Sequence, residues 1–175
     1  MTHWDQSNPN IEIVSASREQ EAVLANLLEL YIHDFTEFLH REISADGRYG
    51  YERLPLYWSE PDRHPYLIRT DGNLSGLALV TRGPDLSGQE TVWDMSEFFV
   101  LRGCRRLGIG TRAAHAVWLQ HPGRWQIRVL ESNVPAQHFW ARAIAAFTGK
   151  AVIPTPFEDG SSRWRVFSFD SSSRA

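Results

Sequence analysis

The segment Phe98-Phe99-Val100-Leu101-Arg102-Gly103-Cys104-Arg105-Arg106-Leu107-Gly108-Ile109-Gly110-Thr111 packs three arginines and two spaced glycines between an apolar run and a helical pattern. Each part serves anion binding. The start of a helix exposes N–H groups without intrahelical partners and carries partial positive charge. Glycines at 108 and 110 lack the Cβ that would keep a phosphate away from the backbone. Arg102, Arg105 and Arg106 add charge and forked donors. The whole chain carries a formal net charge of −3, so the cluster is local and does not follow from a basic composition. Together these parts form an anion cradle suited to a pyrophosphate.

Several motif readings compete for this cradle. A Walker A loop needs Lys followed by Ser or Thr after its last glycine, and Ile109-Gly110 stands there instead, which excludes it. A dinucleotide-binding fingerprint fits Gly108-x-Gly110-x-x-Ala113, with Glu131 where a ribose-binding acid belongs. Against it, the residues from Arg102 to Leu107 separate the strand from the glycines, and an antiparallel meander precedes the unit. A solvated arginine-rich loop before an ordinary helix is the bland alternative. Downstream, Asn133-Val134-Pro135-Ala136-Gln137-His138-Phe139-Trp140 forms a second pattern, Asn-x-x-Ala-x-x-Phe-aromatic. Arg105-Arg106-Leu107-Gly108-Ile109-Gly110 after a long strand resembles the acetyl-CoA signature of the GCN5-related N-acetyltransferase (GNAT) superfamily, Arg/Gln-x-x-Gly-x-Gly/Ala. The second pattern is similar to that superfamily's downstream motif, and the element order matches it over most of the chain.

The resemblance implies an acetyl-CoA-dependent N-acetyltransferase, which moves an acetyl group to a primary amine by direct attack in a ternary complex. The amine would belong to a small molecule or a peptide. In this family the strand before the signature splays from the next, parallel strand, and the pantetheine arm lies in the gap. Carried over, Phe98 and Val100 would flank the arm. The amides of Arg106, Leu107, Gly108, Ile109, Gly110 and Thr111, with the Arg105 and Arg106 side chains, would hold the pyrophosphate. Asn133 could bond the arm near the thioester or cap its helix. An ammonium is not nucleophilic, so a carboxylate must take its proton, often through water. Asp94 and Glu97 are the candidates. Their opposite parity would aim them at opposite faces of a regular strand unless a bulge intervenes, and Glu97 is favoured by its closeness to the thioester. The family often places a Tyr where Trp140 stands, and indole is no useful acid. That departure leaves open a CoA-binding module without catalysis; an NAD-type dinucleotide-binding protein is the other alternative. Cys104 lies among arginines that would lower its pKa, yet no His or Asp pattern supports it as a nucleophile. It reads as a loop thiol.

For the acceptor, the family uses its first helix and the loop that follows. Tyr31, Asp34 and Trp58 are the expected contacts, with Asp34 suited to a cationic amine and the aromatics to cation–π contact. A wet helix face over an aromatic satellite core is the alternative. His33, His40, His64 and His115 lack ligand spacing, so no metal is expected.

These residues need a frame. Ile11 to Val14 alternates as a short strand. A helix capped by Ser17 follows, with Ala22, Leu24, Leu27, Leu28, Tyr31 and Ile32 at helical spacing and Phe35, Phe38 and Leu39 extending it. Residues 44–63 read as a structured loop with room for one helical turn. Tyr66 to Arg69, Leu74 to Thr81 and Thr91 to Leu101 form a meander, its first turn set by Asp71-Gly72. A helix from Gly108 to Gln120, a strand from Trp125 to Leu130 and a helix from Asn133 to Phe147 follow. Ala151 to Ile153 and Trp164 to Phe169 are the closing strands. The expected fold is α/β of mixed type: a GNAT-like, mostly antiparallel twisted sheet of about six or seven strands with helices on both faces. Residues 1–175 read as a single acyl-CoA N-acyltransferase domain, with 1–10 and 171–175 flexible. One cysteine excludes an intrachain disulfide and favours a reducing compartment. The N-terminus lacks a signal-peptide pattern and no apolar run spans a bilayer, so a cytoplasmic protein is expected, with no nucleic-acid or membrane partner. The resemblance also admits a homodimer.

Overall fold

The computed structural model of the chain describes residues 9–84, 86–88, 90–160 and 162–172. Seven strands form one sheet: β1 Ile11–Ser15, β2 Arg63–Thr70, β3 Asn73–Pro84, β4 Thr91–Val100, β5 Arg124–Leu130, β6 Thr155–Asp159 and β7 Ser162–Asp170. Three helices accompany them: α1 Glu21–Phe35, α2 Ile109–Gln120 and α3 Val134–Thr148. The spatial order is β1-β2-β3-β4-β5-β7-β6, antiparallel throughout except for the parallel pair β4–β5. The mixed, mostly antiparallel sheet expected from the sequence is the sheet that forms.

Period-two alternation decides which helix covers which face. Along β2, Leu67 packs with Leu24, Leu27 and Leu28 of α1. Its neighbours Tyr66 and Ile68 turn the other way, toward residues of α2 and α3. The β2–β3 turn has positive φ at both Asp71 (49°) and Gly72 (78°), the geometry that makes Asp-Gly a hairpin signal. Ser17 caps a single 3₁₀ turn, Arg18–Gln20, ahead of α1.

Three sequence expectations need correction. First, α1 stops at Phe35 and does not run on to Phe38 and Leu39. The Thr36 amide is shared among the carbonyls of Ile32, His33 and Asp34, and the Thr36 hydroxyl donates to the His33 carbonyl, which closes the helix. Second, the penultimate strand is Thr155–Asp159 rather than Ala151 to Ile153. Ile153 is 88% exposed, and Pro156 is tolerated because β6 is an edge strand that needs partners on one side only. Third, the end expected to be flexible begins anchored: Ser171 is buried, and its amide donates to the Gly123 carbonyl at 2.8 Å. The expected flexibility of residues 1–8 and 173–175 lies outside the described residues. Among the described residues, no helix is long and apolar enough to cross a membrane.

Candidate active site

The register of β4 carries the first element of the site. Leu79 pairs with Glu97, but the next residue of β3, Val80, pairs with Met95. Ser96 is therefore an extra residue, a bulge that resets the alternation. Met95 packs with the α2 and α3 side, as Phe98 does, while Phe99 packs with α1. Glu97 thus shares a face with Asp94, close enough for the Asp94 charge to be felt at Glu97.

The second element is a gap. The parallel β4–β5 ladder holds only Trp93↔Trp125 and Asp94↔Gln126. Beyond that point β4 pairs with β3 alone, and β5 pairs with β7. The two strands splay from Met95 onward, which leaves backbone donors and acceptors along the facing edges. Phe98 lies beside the gap, stacked on Phe139 at 5.9 Å and against Trp140 at 5.1 Å.

At the end of β4 the chain makes the exposed turn that enters α2. Gly108 is the helix N-cap, with φ 74° and open space within 4 Å of where a Cβ would stand. Arg106 also has positive φ (66°), a conformation that costs energy for a non-glycine residue. Arg105, Arg106, Leu107 and Gly108 are exposed, and Ile109 is buried beneath them. Gly110 has a packing reason of its own. A Cβ there would meet the Phe139 ring at 3.2 Å and Val100 at 3.6 Å, so the glycine lets α2 close onto β4 and α3. Thr111 follows in the first turn.

Asp34, an expected acceptor contact, stands at this turn. It accepts from Arg102 Nε at 2.9 Å and from Arg105 Nη2 at 2.6 Å. Its partial burial would raise its pKa, but these hydrogen bonds outweigh that and hold the carboxyl below its ordinary value. Arg105 also donates to the Val100 carbonyl at 2.8 Å and lies over the Phe99 ring. Cys104 is buried with Ile68, Ile109 and Ala113. Burial pushes its thiol up, the reverse of the lowering expected from nearby arginines.

The buried end of the cleft is built around Glu97. The Tyr51 hydroxyl donates to its Oε1 at 3.0 Å, and Tyr31 faces the same carboxylate. Burial lifts the Glu97 pKa above the ordinary carboxylate range; the two phenols pull it partly back, and the Asp94 charge pushes it up again. Burial also raises Asp94, against the pull of Arg128, whose Nη2 donates to Asp94 Oδ2 at 2.8 Å. The same burial, and the charge of Glu97, raise the Tyr31 and Tyr51 phenols, so both hold their protons at neutral pH. A cleft of about 300 Å³ opens outward from Glu97 between the 44–63 loop and the strands. Tyr51, Arg53, Tyr57, Arg63, Ser96 and Arg128 contribute to its walls.

Of the expected acceptor residues, the structure brings Tyr31 to Glu97 but not Trp58. The Trp58 indole donates to the Ala16 carbonyl at 2.9 Å, and Arg18 lies over its ring. Its neighbour Tyr57 faces the cleft in its place. Asn133 is the N-cap of α3 and accepts from the Ala136 amide at 3.1 Å. Trp140, only 6% exposed, packs with Phe98, Trp118 and Phe139 in the core. Tyr51 and Tyr57 belong to the aromatic stretch that the sequence offers for the acceptor side, whereas nothing in the sequence points to Arg128. A loop so rich in Tyr, Trp, Pro and Gly signals structure, but which ring faces a site depends on the 3₁₀ turn Leu54–Trp58. Among the described residues, no group of three His, Cys, Asp or Glu converges as a metal site.

Comparison with known proteins supports the fold. Residues 24–144 match the acetyltransferase (GNAT) family. The fold is similar to a GNAT-family acetyltransferase from Streptococcus agalactiae, with TM-score 0.69, 12% identity, and 91% of this chain and 95% of that chain covered. It is also similar to an acetyltransferase from Thermus thermophilus, with TM-score 0.64, 12% identity and coverage of 91% and 96%. Arabidopsis thaliana NAA60, solved in complex with acetyl-CoA, aligns with TM-score 0.59, 14% identity and coverage of 92% and 98%. No curated protein sequence matches the chain.

Proposed function

The chain belongs to the acetyltransferase (GNAT) family, and from that premise we propose that it transfers an acetyl group from acetyl-CoA to a primary amine by direct attack within a ternary complex. One observation carries the reading: the β4–β5 ladder ends at Asp94↔Gln126, so the gap opens directly beside the half-buried Glu97. Acetyl-CoA is the acyl donor. Its pantetheine arm would lie along β4 near Phe98 and Val100. Its pyrophosphate would meet the exposed amides from Arg106 to Thr111, with Arg105 and Arg106 beside them. Asn133, besides capping α3, would face the arm from the β5 side. The single sheet running from Ile11 to Asp170 supports treating residues 1–175 as one domain of this kind.

Glu97 takes the proton from the incoming ammonium, directly or through water, so that the neutral amine attacks the thioester carbonyl. Its raised pKa makes it a stronger base than a solvated carboxylate. Asp94, held by Arg128 at 2.8 Å, stands on the same face as the second carboxylate, and its charge raises the basicity of Glu97. Trp140 cannot supply an acid for the departing thiolate, because it is a core residue and an indole. The protonated Tyr31 and Tyr51 phenols at Glu97 are the proton donors closest to the chemistry that this chain offers.

The buried Trp140 also favours the rival reading, a CoA-binding module without turnover. Thiol release from acetyl-CoA against a panel of small amines separates the two. Turnover abolished by Glu97→Gln supports the enzyme; tight CoA binding with no thiol release for any amine supports the module. Stabilisation by NAD but not by CoA in a thermal-shift assay would overturn both.

A further inference from the structure

Resting on the acetyltransferase reading, we infer that the acceptor amine also carries a carboxylate, held in the outer cleft by Arg53, Arg63 and the Tyr57 hydroxyl. The argument starts from an unmet need. Tyr57 is only 3% exposed and lines the cleft, yet among the described residues its hydroxyl has no hydrogen-bond partner. Ser96 and Arg63 face that hydroxyl without reaching bonding geometry. A buried hydroxyl left unpaired destabilises the protein, and an oxygen of a bound ligand would satisfy it.

The cationic groups of the cleft are not equivalent. Arg128 is taken by Asp94 at 2.8 Å, and the Arg82 guanidinium lies over the Trp93 ring at 5.1 Å. Arg63 pairs with Glu60 at 2.5 Å, but its guanidinium also sits 5.4 Å from the centre of the Tyr57 ring. A guanidinium has five N–H donors, so one carboxylate leaves it with donors to spare. Arg53 is exposed at the start of the Leu54–Trp58 turn, and no carboxylate among the described residues engages it. Glu60 and Asp62 share the rim as the opposing charges. The rim therefore has little net charge but an excess of directed donors. That combination suits a planar carboxylate bonded by fork and hydroxyl better than a doubly charged phosphate. At the inner end, Glu97 receives the amine. A ligand that reaches both ends within about 300 Å³ is an amino-acid-like zwitterion.

The test compares α-amino acids with the amines left when the carboxyl group is removed: alanine with ethylamine, leucine with 3-methylbutylamine, and phenylalanine with 2-phenylethylamine. Acetyl transfer is followed by thiol release, and binding to the CoA-loaded protein by calorimetry. In at least one pair the amino acid should show a kcat/KM at least tenfold higher, mostly through KM. Arg53→Gln and Tyr57→Phe should each shrink that ratio about three- to tenfold. Equal kcat/KM within every pair, or a ratio that neither variant moves, overturns the carboxylate site. If no amine is acetylated, calorimetry decides. Preferential binding of the amino acids, lost in both variants, sustains the site and sinks the acetyl-transfer reading; no preference overturns the site as well. O-phosphoethanolamine binding more tightly than every amino acid would also overturn the choice of carboxylate.

Discussion

At the residue scale, the pH dependence of turnover should belong to Glu97. Its pKa is raised, so it loses its charge at a higher pH than a solvated carboxylate does. As pH falls through that raised value, kcat/KM should drop, because the protonated acid cannot accept the ammonium proton. Glu97→Gln should lower kcat by about 10²–10³-fold at neutral pH, and a loss under threefold in steady-state assays would remove the base assignment. Tyr51→Phe supplies a finer check. Its hydroxyl donates to Glu97 Oε1 at 3.0 Å and so favours the charged form. Losing that bond should push the acidic limb of the pH–rate profile toward higher pH, whereas a shift toward lower pH would contradict the arrangement. Asp34 makes the opposite kind of prediction. It neutralises Arg102 and Arg105 beside the turn expected to hold a pyrophosphate, so anion and carboxylate compete for the same guanidinium. Asp34→Asn should tighten acetyl-CoA binding roughly three- to tenfold by isothermal titration; unchanged or weaker binding would mean that the pair only braces α1 against the loop. The arginines and Gly108 were legible in the sequence as a turn entering a helix; the packing role of Gly110 was not, because it depends on Phe139 of α3. The Asp34 latch was not, because it joins residues 68 and 71 apart in the chain.

At the element scale, the site depends on how β4 meets its two neighbours. The sequence made the strand and its two acids plain, and their opposite parity posed the question that the bulge at Ser96 answers. What no local pattern could supply was the register, since a bulge is decided by the strand opposite. Gly76 marks the tightest point of that pairing. A Cβ there would overlap the Phe99 carbonyl oxygen, which belongs to backbone and cannot swing aside. Gly76→Ala should therefore cost about 3 kcal/mol or more in chemical denaturation and disturb Glu97 through the shared ladder. A loss below about 1 kcal/mol would show that β3 and β4 can slide apart without harm. The closing hairpin shows the other limit of local reading. Ala151-Val152-Ile153 has the better strand propensity, yet the chain pairs Thr155–Asp159 with β7. Partner geometry outweighs propensity when the edge strand has one neighbour to satisfy. Likewise, Trp140 stands where the family often has a Tyr but serves as packing for Phe98 and Trp118.

At the scale of the whole molecule, one buried histidine ties distant parts of the chain together. His121 ends α2, and its Nε2 lies 2.7 Å from the Tyr66 hydroxyl of β2. Its ring contacts His64 of β2 at 4.7 Å and Trp93 of β4 at 4.3 Å. Its carbonyl accepts from the indole of Trp125 in β5 at 2.9 Å and from Ser171 beyond β7 at 3.3 Å. At 7% exposed, the ring is held neutral. Burial is the larger cause and the neighbouring His64 the smaller, and together they push its pKa down to about 4. In the unfolded chain the ring titrates near its ordinary value of about 6.5. Between those two values the unfolded state binds the extra proton, so stability is complete above about pH 6.5 and declines as pH falls toward about 4. The difference corresponds to at most about 3 kcal/mol, a fall in Tm on the order of 10 °C for a chain of this size. His64, also lowered by burial, acts in the same direction. His121→Phe keeps an aromatic ring but removes the titration. It should lower Tm at pH 7, because the Tyr66 hydroxyl loses its partner, and flatten the Tm–pH curve between pH 7 and 4. Equal slopes for the two proteins by differential scanning calorimetry would place the acid sensitivity elsewhere, first on carboxylates held below their ordinary pKa, such as Asp34 with Arg102 and Arg105.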